Sequence, residues 1–402
     1  MGSRLPVSGN KPGRQIPADV NHNLNIIVAP NAFKGSLTAD QAALAMVRGI
    51  HKISPDIRVT SIPVSDGGDG LVAAMTHALG GQILTASVHD PRERRVKADF
   101  LFDESGSTAV IEMALASGLA LLPGNLQDPT LTTTLGTGEL IRAALDRGAA
   151  HILMGIGGSA TCDGGMGAAA ALGYRFKDKN GRPLPPTGAS LGKVDEIDKS
   201  GVDPRLSRVS FSVACDVTNP LTGPDGASFV FSPQKGATPG QVRDLDRGLA
   251  HFGRIISRDL GVEITGLEGA GAAGGLGGGM KAFFTARLLP GIDMVLDLVD
   301  FHTQVKDADL VLTAEGRMDS QTRFNKAPAG VARAAKAANV PCYGLCGSRG
   351  KHIRTLHPLG MDAVFPICPG PISLASALEE ASDLLSRATE QAVRAFSAGR
   401  KS

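Results

Sequence analysis

Five polar, glycine-bearing turns carry the residues whose types could do chemistry: NAFKGS (31–36), SDGGDG (65–70), GGSATCDGG (157–165), CDVTNPLTGPDGAS (215–228) and AEGRMDSQT (314–322). Glycine amides and helix N-termini cradle phosphate oxygens. Carboxylates on short loops hold Mg²⁺ through oxygen. Lys and Arg neutralise charge that builds on a transferring group. Together these are the parts of phosphoryl transfer. A single Asp-Gly pair is ordinary turn chemistry, so the argument rests on the set.

Within the set, Lys34 is the favoured phosphate-facing cation, because it ends the first strand. Lys235 and Lys326 also sit beside glycines or turns, although a solvated lysine is the ordinary expectation for each. Asp66 suits a metal ligand or a general base, and Asp69 a helix cap. Asp163 precedes two glycines, where backbone can bend around a ligand. Asp216 follows an apolar strand, in position for a metal or a sugar-acid contact. Glu315, Arg317 and Asp319 are as readily an internal ion pair as a site. The run GAGAAGGLGGG (269–279) contains a GxGxxG, a weak signal without a clear preceding strand, since Val262–Thr265 is short. A substrate-contacting loop opening a helix near Met280, or close helix packing, explains it better. There is no GxxxxGK[ST], so the chain is not a P-loop enzyme.

The elements that must position these turns follow from periodicity. Leu24–Ala29 and Val59–Val64 are apolar strands, with a helix between them opening at Thr38 and Gln41 as a capping box. The same rhythm returns with strands Ala308–Thr313, Val340–Cys346 and Asp362–Ile367. There a helix spans Pro328–Ala338, and a long final helix is capped by Ser373. Between these ends, Gln82–Val88, Val96–Phe102 and Thr108–Met113 have short connections and read as antiparallel strands. His151–Ile156 and Ser210–Cys215 follow, and Thr238 with Gln241 caps a helix to about Leu260. The expected fold is α/β. A parallel-sheet domain made from 23–66 and 290–402 is interrupted by a second α/β domain, 67–289, and residues 1–22 form a disordered tail.

Composition agrees. The chain has 402 residues, 42% apolar and 20% charged, with a net charge of +2. That supports an ordinary core in two or three domains. It argues against a nucleic-acid partner held by a basic face, and the absence of Trp argues against base stacking. No stretch approaches the roughly 20 apolar residues of a membrane span. The five cysteines lack zinc or redox spacing, so reduced thiols in a cytoplasmic protein are expected.

The segments IVAPNAFKGSLTA, PVSDGGDG, GIGGSATCDGG, ACDVTNPLTGPDGAS, GAGAAGGLGGG and ADLVLTAEGRMDSQT closely resemble the bacterial glycerate 2-kinase family, as do IEMALASGLALLP and TTTLGTGELI. The resemblance spans roughly residues 24–395. It implies a discontinuous Rossmann-like domain with an inserted α/β domain and an active site in the cleft between them. It also implies ATP- and Mg²⁺-dependent phosphorylation of D-glycerate, with 2-phosphoglycerate favoured over 3-phosphoglycerate. Carried onto this sequence, it places Lys34, Asp66, Asp163, Asp216, Glu315, Arg317 and Asp319 in the cleft, and their chemistry suits Lys34, Asp66, Asp163 and Arg317 to catalysis. By the same residue chemistry, nucleotide is expected on Gly157, Gly158, Ser159, Gly271, Gly274, Gly275 and Lys326, and metal on Asp216, Glu315 and Asp319. A homodimer is compatible with the sequence. Cys162, Ala314 and Asn325 depart from the family's Asn, Gly and Gly, and Ala314 adds a Cβ where a tight turn is expected. The alternatives are a kinase of another small hydroxy acid, a nicotinamide oxidoreductase using Gly269–Gly274, and a nucleotide-binding regulator without turnover.

Overall fold

A computed structural model describes residues 24–65, 71–105, 107–323 and 326–400. The N-terminal tail, Asp66, Asp69 and Asn325 lie outside the described residues. The strands are β1 (Asn25–Pro30), β2 (Arg58–Ser61), β3 (Gln82–His89), β4 (Arg95–Asp103), β5 (Thr108–Glu112) and β6 (His151–Gly155), then a side ribbon of β7 (Arg175–Lys177) and β8 (Glu196–Asp198). After these come β9 (Ser210–Ala214), β10 (Arg287–Leu289), β11 (Leu310–Met318), β12 (Cys342–Arg349) and β13 (Ala363–Pro366).

The first sheet runs β13-β12-β11-β1-β2, and every neighbouring pair is parallel. NIIVAP of β1 is buried at all but its first residue, as both faces of a parallel sheet require. The direction of winding reverses between β1 and β11. In open α/β sheets ligands bind at that reversal, outside the carboxyl ends of the strands. The second sheet runs β10-β9-β6-β5-β4-β3. Its β3, β4 and β5 are antiparallel neighbours, and the rest is parallel.

The helices Ala39–His51 and Ala381–Gly399 cover the outer face of the first sheet. Leu135–Asp146, Met166–Ala171, Pro239–Leu260 and Ala272–Phe284 cover the outer face of the second. Between the sheets lie Leu71–Leu79, Gly291–Leu298 and Ala327–Ala337. Their apolar cluster takes Ile27, Ala29 and Val311 from the first sheet and Leu101, Val110 and Ala214 from the second. The two sheets therefore share one helical layer. Both expected capping boxes form, with the Thr38 and Thr238 hydroxyls accepting from the Gln41 and Gln241 amides.

Three local expectations change. The chain from Ala314 to Arg317 is strand, not turn: Ala314 is paired on both sides, opposite Pro30 and Leu345, and pairing with β12 alone carries the strand on, with Arg317 opposite Ser348. The Cβ of Ala314 thus lies in a buried strand and strains nothing. Val262–Thr265 forms no strand. The last helix divides at Glu380 into Leu374–Glu379 and Ala381–Gly399.

Close packing of the shared layer is testable at Gly330, where an added Cβ would lie 2.4 Å from the Ile292 side chain. Gly330→Ala overpacks that contact and is expected to destabilise the protein by about 1–3 kcal/mol in urea unfolding. A change below roughly 0.5 kcal/mol, the range of a neutral surface substitution, would mean the layer is loose.

Candidate active site

Each sheet opens at its carboxyl edge into a cavity. The first, of about 420 Å³, lies at the winding reversal and is lined by the 31–36 turn, by Glu315, Gly316 and Arg317, and by Gly347 and Ser348. It gathers Lys34, Arg317 and Lys326 around one carboxylate, Glu315. Lys326 is the N-cap of the helix Ala327–Ala337 and makes no side-chain cap bond, so cation and helix N-terminus stand together, as anion sites require. Glu315 is 6% exposed, and its Oε1 accepts from the Thr322 hydroxyl at 2.8 Å. Arg317 Nε donates to Asp319 Oδ2 at 2.9 Å, and the guanidinium side chain is largely exposed. The Gln321 amide, then Arg317, holds the Asp319 carboxyl below the usual range. One wall is apolar, formed by Ile367, Leu374, Ala377 and Leu378.

The second cavity, of about 450 Å³, lies beyond β6 and β9. Gly157, Gly158, Ser159, Asp216, Lys235, Ala272 and Ala273 line it, with Ile156, Val217 and Phe231. Gly158 is left-handed at φ 71, which turns the chain back so that its carbonyl meets the Leu119 amide. Ala273 is also left-handed, at φ 53. A non-glycine residue in that region is strained and clusters at ligand sites. Asp216 Oδ1 accepts the Gly291 amide at 2.8 Å. Lys235 is 2% exposed, and its Nζ donates to Ser159 Oγ and Thr161 O, each at 2.7 Å.

Asp163 stands behind this cavity and faces no opening. It is 0% exposed. Oδ2 accepts from Thr134 N and Oγ1 at 2.7 Å and from Gly167 N at 3.0 Å, while Oδ1 accepts from Gly165 N at 3.1 Å. Burial pushes its carboxyl up, and these hydrogen bonds oppose the shift. Asp163, expected at the substrate, does not line the cavity here: its oxygens tie the 157–165 turn to the N-termini of two helices, Leu135–Asp146 and Met166–Ala171.

Gly271, Gly274 and Gly275 likewise answer to packing. A Cβ on Gly271 would lie 2.2 Å from Pro220 O, on Gly274 2.0 Å from Thr161 O, and on Gly275 3.0 Å from Gly164 Cα. Their neighbours Ala272 and Ala273 line the cavity instead. With no strand before it, the GxGxxG is not a dinucleotide fingerprint. Lys326 belongs with Lys34 and Arg317 rather than with Gly157–Ser159. Asp216 lines the second cavity and Glu315 the first, and among the described residues no three His, Cys, Asp or Glu groups gather as a metal cluster.

Sequence reasoning did not single out Glu112. Its Oε1 accepts the Val72 amide at 2.7 Å, buried. A carboxylate ending the apolar strand TAVIE was the available signal. This bond also fixes where the chain enters at the carboxyl edge of the second sheet. Val64 N donates to Pro30 O at the carboxyl end of β1, and Val72 is held at the carboxyl end of β5. The chain between them spans at most about 30 Å. The connection that carries Asp66 therefore runs from the carboxyl end of one sheet to that of the other.

A two-sheet α/β protein with strand-end cavities, one cationic and one glycine-walled, has the architecture of a small-molecule phosphotransferase. The Glycerate kinase family model matches residues 26–397. A glycerate kinase of Bacillus subtilis is 48% identical, over 90% of this chain and 95% of its own. The glycerate 2-kinase of Escherichia coli is 43% identical, over 94% and 99%. A crystal structure from Salmonella typhimurium LT2, assigned as glycerate kinase 2, superposes with a TM-score of 0.86 at 44% identity, covering 94% of this chain and all of that one. The chain belongs to the glycerate kinase family and is an enzyme of the kinase class. No described helix is long and apolar enough to cross a membrane.

Burial pushes the Lys235 ammonium down to about 8. Its folded value lies below the ordinary lysine value, so the buried charge costs stability below pH 8. That cost is relieved as pH rises from 8 toward about 10.5. The Cys162 thiol beside it is pushed up by burial and stays neutral as this window opens. Thermal unfolding across pH 7–10 should therefore show wild type gaining on Lys235→Met. A pH-independent difference between them would contradict the buried charge.

Proposed function

We propose that this protein is a cytoplasmic enzyme that phosphorylates D-glycerate from ATP with Mg²⁺, giving 2-phosphoglycerate. The reading takes the chain as two domains, 23–66 with 290–402 around 67–289, that share the reaction across their neighbouring strand ends. The observation that carries it is the grouping of Lys34, Arg317 and Lys326 at a winding reversal, beside a helix N-terminus and an apolar wall. Three cations suit the triphosphate, and the apolar wall suits the base. The family, and the name of the Escherichia coli relative, support glycerate and its O2.

The donor set fits Mg²⁺. This ion is usually held by one or two carboxylates together with substrate phosphates, and Glu315 and Asp319 are oxygen donors flanking the cationic cup. When bound, it neutralises charge on the phosphates. The residues of this chain do the rest. Lys34 and Arg317 balance the charge on the γ-phosphoryl group. The acceptor hydroxyl oxygen bonds to that phosphorus as its bond to ADP breaks, and the hydroxyl proton passes to Asp66. Asp163 acts as a positioning residue for the 157–165 turn.

A coupled assay with ATP, Mg²⁺ and D-glycerate should release ADP, and phosphorus NMR should identify 2-phosphoglycerate. Lys34→Ala and Arg317→Ala should each lower kcat/KM by about 10²–10³, the cost of losing one preorganised charge contact. ADP release no higher than in the glycerate-free control defeats the proposal, and 3-phosphoglycerate as product defeats the assignment of the oxygen.

A further inference from the structure

We propose that Lys235 is a substrate-binding residue whose buried ammonium holds the carboxylate of a small monocarboxylic hydroxy acid in the second cavity, beside Gly157, Gly158 and Ser159. The assignment rests on the kinase reading above, which it deepens by separating the seats of the two substrates. An isolated ammonium is expensive to take out of water, and proteins ordinarily supply a paired anion. Lys235 is a fully buried charged side chain, yet its partners are a hydroxyl and a carbonyl. The Asp163 carboxylate is close enough to be felt, but its oxygens are held by Thr134, Gly165 and Gly167. An ammonium has three N–H donors, and Ser159 and Thr161 take two. Lys235 lines the cavity, so an anion entering there supplies the missing counter-charge and the last acceptor.

Charge matching decides which anion. A polyphosphate carries several negative charges and would here meet one cation with Asp216 in the same wall. The first cavity offers three cations. A single carboxylate matches the single buried ammonium, and the apolar lining of Ile156, Ala214 and Phe231 lowers the local dielectric, which strengthens such contacts. Burial that lowers the ammonium's proton affinity is the same effect seen from the unliganded side.

Calorimetric binding of D-glycerate and of ATP, measured separately on wild type and Lys235→Met, tests this without requiring turnover. D-glycerate should bind at least about tenfold more weakly to the variant, as expected for a lost hydrogen bond to a charged group, with ATP affinity within twofold. The preference of wild type for D-glycerate over its uncharged amide should collapse with it. A merely structural lysine would weaken both acids and amides in parallel. Val217→Asp, at a half-exposed position in the same wall, gives a second variant that does not depend on core repacking, and its carboxylate should repel D-glycerate by a similar factor. Unchanged D-glycerate binding in both variants, or a loss confined to ATP, overturns the assignment. Wild type that binds D-glycerate but does not phosphorylate it leaves the Lys235 assignment standing and defeats the functional reading alone.

Discussion

A carboxylate removed from water must be satisfied by the protein around it, and the Asp163 carboxylate is met by four hydrogen bonds. Its donors come from Thr134, at the start of one helix, and from Gly165 and Gly167, at the start of another. Both helix N-termini carry partial positive charge and unpaired amides, so a single anion satisfies them together. The 157–165 turn is thereby pinned to the body of the second sheet. Ser159 and Thr161 then hold Lys235, and the glycines at 157 and 158 leave their backbone facing the cavity. The cavity wall is thus a consequence of one buried charge and the helix ends it joins.

Glycine serves two purposes in this protein. At Gly158 it lets the chain turn with φ 71 at the edge of a cavity. At Gly274 the need is for space: the backbone passes so close to Thr161 that any side chain would collide. The same residue type therefore marks a ligand wall in one place and a tight internal contact in the other. The two sheets are joined through one shared helical layer. That arrangement suits a reaction in which a cationic cup and a small-acid pocket must present their contents to each other.

Much of the architecture was legible in the sequence. Short apolar runs ending in glycine and aspartate turns gave the strands, and Thr-x-x-Gln gave both capped helices, because these signals act within a few residues. The antiparallel trio β3, β4 and β5 followed from short connections that leave no room for a crossover helix. Boundaries were less secure: β11 extends past Ala314 to Met318 because pairing with β12 continues there and overrides local turn propensity. The separation of the last helix at Glu380 had no signal that periodicity could read.

The sequence by itself determined the chemistry available, an α/β chain with basic and acidic groups at strand ends, because residue type and short-range spacing carry that information. Only the tertiary structure decided which of those groups share a cavity. It placed Lys326 with Lys34 and Arg317, drew Asp163 into the core, and buried Lys235, whose sequence context of proline and glycine reads as a surface turn. Burial and charge neighbourhood depend on residues distant in the chain, and burial decides whether a lysine is a solvated surface group or a charge in need of an anion.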